Sequence, residues 1–193
     1  MGRIVRMFAP TDPDLRVLGI DPGLTRCGYA VLDGGVAAVR SVSLGVLRTP
    51  TEADLPERLA ALWTDVQDLL DEFRPQAVAI EQVFFQVNVQ TAMSVGQASG
   101  LVLALAHRAG CQVAQYPPNQ VKEAVTGSGR ADKVQVQKMV QMRLGLSVPP
   151  DPPDVADAAA VALCHLAVSP MHRRLVAAGA ETVTGRMRSR RGS

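Results

Sequence analysis

The chain has little that zinc or disulfide chemistry could use. Its three cysteines (Cys27, Cys111 and Cys164) lie far apart, with no CxxC pair and no Cys/His spacing suited to zinc. Each sits in or beside an apolar segment, so buried thiols of a reducing compartment are expected and a disulfide is not. The three histidines (His107, His165 and His172) share no spacing. The longest apolar helical stretch, Val155 to Val168, is too short to span a bilayer and contains Asp157 and His165. Met1-Gly-Arg-Ile-Val-Arg6 leads to Pro10 and Asp12 rather than to an apolar run, so no secretory leader is expected. Internal repeats and long low-complexity tracts are missing. Aromatic residues make up only 4%, against which the adjacent pair Phe84 and Phe85 stands out.

What is present fits one domain. At 193 residues, 47% hydrophobic and 20% charged, the chain can bury a substantial core. Its formal charge of +2 hides a segregated distribution. Residues 50–75 carry seven acids against two arginines, residues 122–143 five basic side chains against two acids, and residues 171–193 six arginines against Glu181. An acidic face with basic later segments suits a protein that presents one side to a polyanion. A solvated surface with a disordered tail gives the same counts.

Periodicity supplies the organisation. Strands are expected at Arg16–Asp21, Cys27–Asp33 and Val36–Leu47, separated by Asp21-Pro-Gly23 and by the hairpin dipeptide Gly34-Gly35, which makes an antiparallel meander. Pro50 and Thr51 introduce an amphipathic helix with Leu55, Leu59, Leu62, Val66, Leu69, Leu70 and Phe73 on one face, ending before Pro75. Ala77–Ile80 reads as a strand buried on both faces and ending at Glu81. A helix over Val89 to Ala109 carries a small-residue strip of Ala92, Gly96 and Gly100. Then follow a strand at Gln112–Tyr116, a short helix near Asn119–Val125, a helix from Ala131 to Leu144, a proline-rich connection and a last helix. This order predicts an α/β fold: a three-strand antiparallel meander plus parallel strands, flanked by helices. Residues 1–14 read as a flexible extension, 15–170 as the folded domain and 171–193 as a basic flexible tail.

Four acids carry the chemistry. Asp21 ends the first strand, where Asp-Pro-Gly is also ordinary turn chemistry. Glu81 follows Val78-Ala-Ile80 at the carboxyl end of a central strand, where open α/β sheets place their ligands. Asp154 and Asp157, three apart at a helix start, share one face of its first turn. They could equally be an N-cap and a dipole-stabilised first-turn acid, together on the order of 1–2 kcal/mol. Four carboxylates gathered from three parts of the chain repel unless a divalent cation joins them, and oxygen ligands suit Mg²⁺. Phosphodiester hydrolysis needs an activated water, charge neutralisation and help for the leaving oxygen, which two Mg²⁺ about 4 Å apart can supply.

Gly19-Ile-Asp-Pro-Gly23 with Gly28-Tyr29, Ala79-Ile-Glu-Gln-Val-Phe84, Gln120-Val-Lys122 and Asp154-Val-Ala-Asp157 together closely resemble the RuvC family of Holliday junction resolvases. The likeness is ordered and covers about residues 16–170. It implies a ribonuclease H-like fold, a homodimer, and Mg²⁺-dependent paired nicking of four-way DNA junctions in recombination and repair, with Mn²⁺ able to substitute. By the same resemblance Asp21, Glu81, Asp154 and Asp157 are the catalytic metal ligands, Lys122 and Lys133 face phosphates, and Phe84 is a wedge stacking on an unpaired base at the crossover. Arg130 joins them as a further DNA-binding position. The resemblance also implies a bacterial cytoplasmic enzyme that works with a branch-migration motor of the RuvA and RuvB type.

Other readings remain beside it. An actin- or Hsp70-like ATPase also starts with a strand, an Asp and a Gly-containing turn, but Gly127-Ser-Gly129 follows a short helix and makes a poor phosphate loop. A noncatalytic junction-binding module, or a related nuclease acting on RNA, would share the fold. Phe85 suits a core anchor for its loop, and His165 a satisfied core histidine. The small-residue strip on the second long helix serves either as a dimer interface or as packing on the sheet.

Overall fold

The computed structural model describes residues 15–34, 39–82 and 89–169. Its elements run β1 (Leu15–Asp21), β2 (Arg26–Gly34), β3 (Val39–Arg48), α1 (Leu55–Phe73), β4 (Ala77–Glu81), α2 (Val89–Arg108), β5 (Gln112–Tyr116), α3 (Pro118–Thr126) and α4 (Lys133–Leu144), followed by α5 over residues 153–169. The five strands lie in the order β3-β2-β1-β4-β5. Strands β1, β2 and β3 form the antiparallel meander, and β4 and β5 are added in parallel to β1. The extension at 1–14, the tail at 171–193, Phe84 and Phe85 lie outside the described residues.

Alternation along the central strands divides the core between two faces. Leu18 and Ile20 of β1, Val31 of β2, and Val78 and Ile80 of β4 pack on Leu62, Val66, Leu69 and Leu70 of α1 and on Ala98, Val102 and Leu105 of α2. Val17, Ala30, Leu32, Ala77 and Ala79 face the opposite way, onto α3, α4 and the buried alanines of α5. Central strands covered on both sides read as the continuous apolar runs seen in the sequence. Helix α5 is buried from Val155 through His165 except for a half-buried Asp157, so it sits against the sheet rather than on the surface.

Local signals fix the ends. Helix α1 starts later than Pro50 and Thr51 suggest, because the Asp54 side chain accepts from the Glu57 N–H at 3.0 Å and caps the helix. It stops at Arg74 (φ 45°), just ahead of Pro75. Helix α4 begins after Asp132, which forms a reciprocal capping box with Gln135. Helix α5 begins at residue 153, so Asp154 lies inside its first turn instead of capping it. Among the described residues no helix is long and apolar enough to cross a membrane. All three cysteines are free: Cys27 and Cys164 are buried, with burial pushing their thiols up to about 12 and about 11. Cys111 is only half-buried, its thiol 3.2 Å from the Pro75 carbonyl.

Candidate active site

Strand parity decides where the acids go. Asp21 follows Val17 and Gly19 on the α5 side of β1, and Glu81 follows Ala77 and Ala79 on the same side of β4. The parallel register pairs Ile20 with Ile80, so the next residues, Asp21 and Glu81, leave the two strand ends side by side. Helix α5 must come very close to present its own acids to them. Two glycines allow this: a Cβ on Gly19 would run into the Ala158 carbonyl, and one on Gly28 into the Asp154 carbonyl. The Gly in Leu18-Gly-Ile-Asp21 is therefore a packing requirement of the helix that carries Asp154 and Asp157.

A cavity of ≈ 830 Å³ opens at this corner, lined by Asp21, Glu81, Asp154, Asp157, Lys122 and Lys133 among others. The structure thus brings six of the eight residues singled out from the sequence around one space. Arg130 is exposed in a separate depression beside Thr126 and Gln135. His165 is buried in the core, its Nδ1 2.8 Å from the Tyr116 hydroxyl.

The carboxylates strain against one another. Burial, then the charges of Asp157, Glu81 and Asp154, push Asp21 up to about 7. Burial and Asp157 also raise Glu81, partly opposed by Lys133 and Lys122. Lys133 lies 3.4 Å from Asp157, whose charge holds its ammonium above the ordinary lysine range. Asp154 Oδ2 is buried and has no hydrogen-bond partner; Arg26 Nη2 approaches to 3.2 Å, an ion-pair contact off the hydrogen-bonding direction.

Arg26 also lines the cavity, as do Gln82 and Gln137, and the sequence reading passed over all three. For Arg26 a signal existed. In the antiparallel pairing Asp21 faces Gly28, and Arg26, two residues earlier on β2, shares the parity of Gly28 and points to the same side.

This donor set fits a divalent cation in its chemistry. It consists of carboxylate oxygens, one of them buried and without a hydrogen-bond partner, and burial followed by mutual repulsion raises two of the groups. The side chains are drawn around the cavity without being closed on a single point. Among the described residues no three His, Cys, Asp or Glu side chains stand ready to hold one ion together, and two of the four acids are turned to Arg26 and Lys133.

A family model described as "Crossover junction endodeoxyribonuclease RuvC" matches residues 17–165. The chain belongs to the RuvC family. A crossover junction endodeoxyribonuclease RuvC of Frankia casuarinae is 52% identical over 153 residues, covering 79% of this chain and 89% of the relative. A structure of Thermus thermophilus RuvC in complex with Holliday junction substrate superposes with a TM-score of 0.78 at 40% identity, covering 82% of this chain and 96% of that one. The yeast mitochondrial Holliday junction resolvase shares the fold at 18% identity, with a TM-score of 0.61. The mixed sheet flanked by helices is thus the ribonuclease H-like fold of these resolvases. RuvC enzymes are metal-dependent nucleases.

Proposed function

We propose that this RuvC-family chain resolves four-way DNA junctions by paired, symmetric hydrolysis of phosphodiesters, with Asp21, Glu81, Asp154 and Asp157 as its metal-holding catalytic residues. The observation that carries the proposal is the meeting of four carboxylates from β1, β4 and α5 with two lysines around one cavity. Mg²⁺ is the natural ion for an all-oxygen site, with two ions per centre and Mn²⁺ able to replace them. When bound, such ions supply an activated water, charge neutralisation on the phosphoryl oxygens and stabilisation of the leaving 3′-oxygen.

The protein's own groups do the rest. Asp154 and Asp157 sit in the first turn of α5, whose amino-terminal backbone brings both carboxylates to the same corner. Asp21 and Glu81 are carried by two central strands, a rigid base for a catalytic geometry. Lys133 stays protonated beside Asp157 and, with Lys122, faces the phosphates of the bound strand. Arg130, away from the cavity, contacts backbone farther along the DNA, and Phe84 serves as the wedge at the crossover.

One centre makes one nick, so symmetric resolution requires two chains related by a two-fold axis. Helix α2 suits that role: Gly96 and Gly100 are exposed, and a Cβ on either would meet nothing within 4 Å. Ala92 is buried, but the two glycines of the strip are open, which favours the dimer-interface reading over internal packing for that part of the helix. In this reading residues 15–170 are the nuclease domain, residues 1–14 and 171–193 are accessory, and the enzyme acts in the bacterial cytoplasm with a RuvA- and RuvB-type motor.

The test is cleavage of a synthetic four-way DNA junction, beside linear duplex and an RNA junction, with and without Mg²⁺. Symmetric paired nicks confined to the DNA junction and dependent on metal are expected. Equal cutting of duplex, or of the RNA junction, would overturn the substrate assignment.

A further inference from the structure

We propose that Arg26 is the resident counter-ion of the metal-free cleft, holding Asp154 until a divalent cation displaces it. The inference rests on the reading of the four acids as metal ligands and adds a residue to which no role has been given. Arg26 opens β2 on the side facing α5, two residues before Gly28, whose missing side chain lets the Asp154 backbone come up against the strand. Its Nη2 stands 3.2 Å from Asp154 Oδ2, the buried oxygen without a hydrogen bond. Arg26 thus offers charge to that oxygen without the directional bonds that would make the pairing permanent.

Exchange is built into this geometry. The Arg26 side chain is 47% exposed and can leave, whereas Asp154, at 17%, cannot follow it. The contact is an ion pair between a guanidinium and a carboxylate, so a divalent cation competes with it directly for the same oxygen. Arg26 therefore offsets part of the repulsion among four carboxylates when no metal is present, and it opposes metal entry to the same extent. Removing its charge should shift stability from the metal-free to the metal-bound protein.

The experiment measures Mg²⁺ binding to the full DNA-free chain by isothermal titration calorimetry, with thermal unfolding in EDTA and at saturating Mg²⁺. R26Q should bind Mg²⁺ about threefold to fivefold more tightly than the wild type. Its melting temperature should fall in EDTA but approach that of the wild type in Mg²⁺. R26K, which keeps the charge, should stay near the wild type. R40Q, which removes the same charge at Asp33 on the far end of β2, should leave Mg²⁺ affinity unchanged. Should R26Q bind Mg²⁺ no more tightly, or lose stability equally with and without metal, Arg26 is merely structural and the proposal is overturned. Should the wild type itself bind no Mg²⁺, the reading of the four acids fails, and this proposal with it.

Discussion

The two ends of the sheet treat a carboxylate in opposite ways. At one end Asp33, only 4% exposed, is embraced by cations: Arg16 donates to it at 2.7 and 3.0 Å and Arg40 at 2.6 Å. The Arg16 hydrogen bond and the charges of both arginines hold its carboxyl below the usual aspartate range. At the other end burial, and then the three acids around it, push Asp21 up to about 7. The residue type is the same and both lie at the end of an apolar strand run; what differs is the supply of positive charge. A satisfied acid ties β1 to β2, while an undersupplied cluster is organised to receive a cation from outside.

The largest effect should come from breaking the undersupplied end. Asp21→Asn or Glu81→Gln should cut junction cleavage at least a hundredfold, since groups that merely orient metal ligands already account for 10–100-fold. Binding to the junction, read by gel shift in Ca²⁺, should persist. Asp33→Asn should do the reverse, leaving cleavage unchanged while lowering stability to urea by about 2 kcal/mol, because two arginines lose their charged partner. Native cleavage by Asp21→Asn, or lost cleavage in a folded Asp33→Asn, would erase the contrast.

The two ends should also differ in the sign of their pH dependence. Asp33 has a depressed folded value, so its stabilisation is present above the unfolded carboxyl value and is lost as pH falls through the folded one. Asp21 is raised from 3.8 to about 7, so between those limits the folded protein holds a proton that the unfolded chain releases. Metal-free stability should therefore decline as pH rises from about 4 to 7. Asp21→Asn should remove most of that decline and stabilise the metal-free protein near neutral pH by on the order of 2 kcal/mol, visible in thermal melts in EDTA. The smallest effects belong to the lysines. Lys122→Gln and Lys133→Gln should each weaken junction binding severalfold and reduce its logarithmic salt slope by about one.

Much of this arrangement is legible in the order of residues. Alternation in β1 and β4 gives the strands, their carboxyl ends and the shared side of Asp21 and Glu81, and the motifs at Asp154 and Asp157 point to the same corner. Legibility stops where two elements meet. Val31-Leu32-Asp33 looks like Ala79-Ile80-Glu81 as a string, and only the arrival of Arg16 and Arg40 from neighbouring strands makes it structural. Arg26 was missed because its importance depends on the helix start that Gly19 and Gly28 admit to the sheet. Arg130 shares the basic segment with Lys122 and Lys133 but opens onto a different depression, a separation that charge counting does not register.

The most direct check is an anomalous difference map from crystals of this chain grown near neutral pH and soaked in Mn²⁺. Density within coordinating reach of Asp21 and at least two of Glu81, Asp154 and Asp157, with none at Asp33, is the predicted result. A bare cleft in crystals of cleavage-competent protein, or Mn²⁺ held elsewhere in the molecule, would contradict the account.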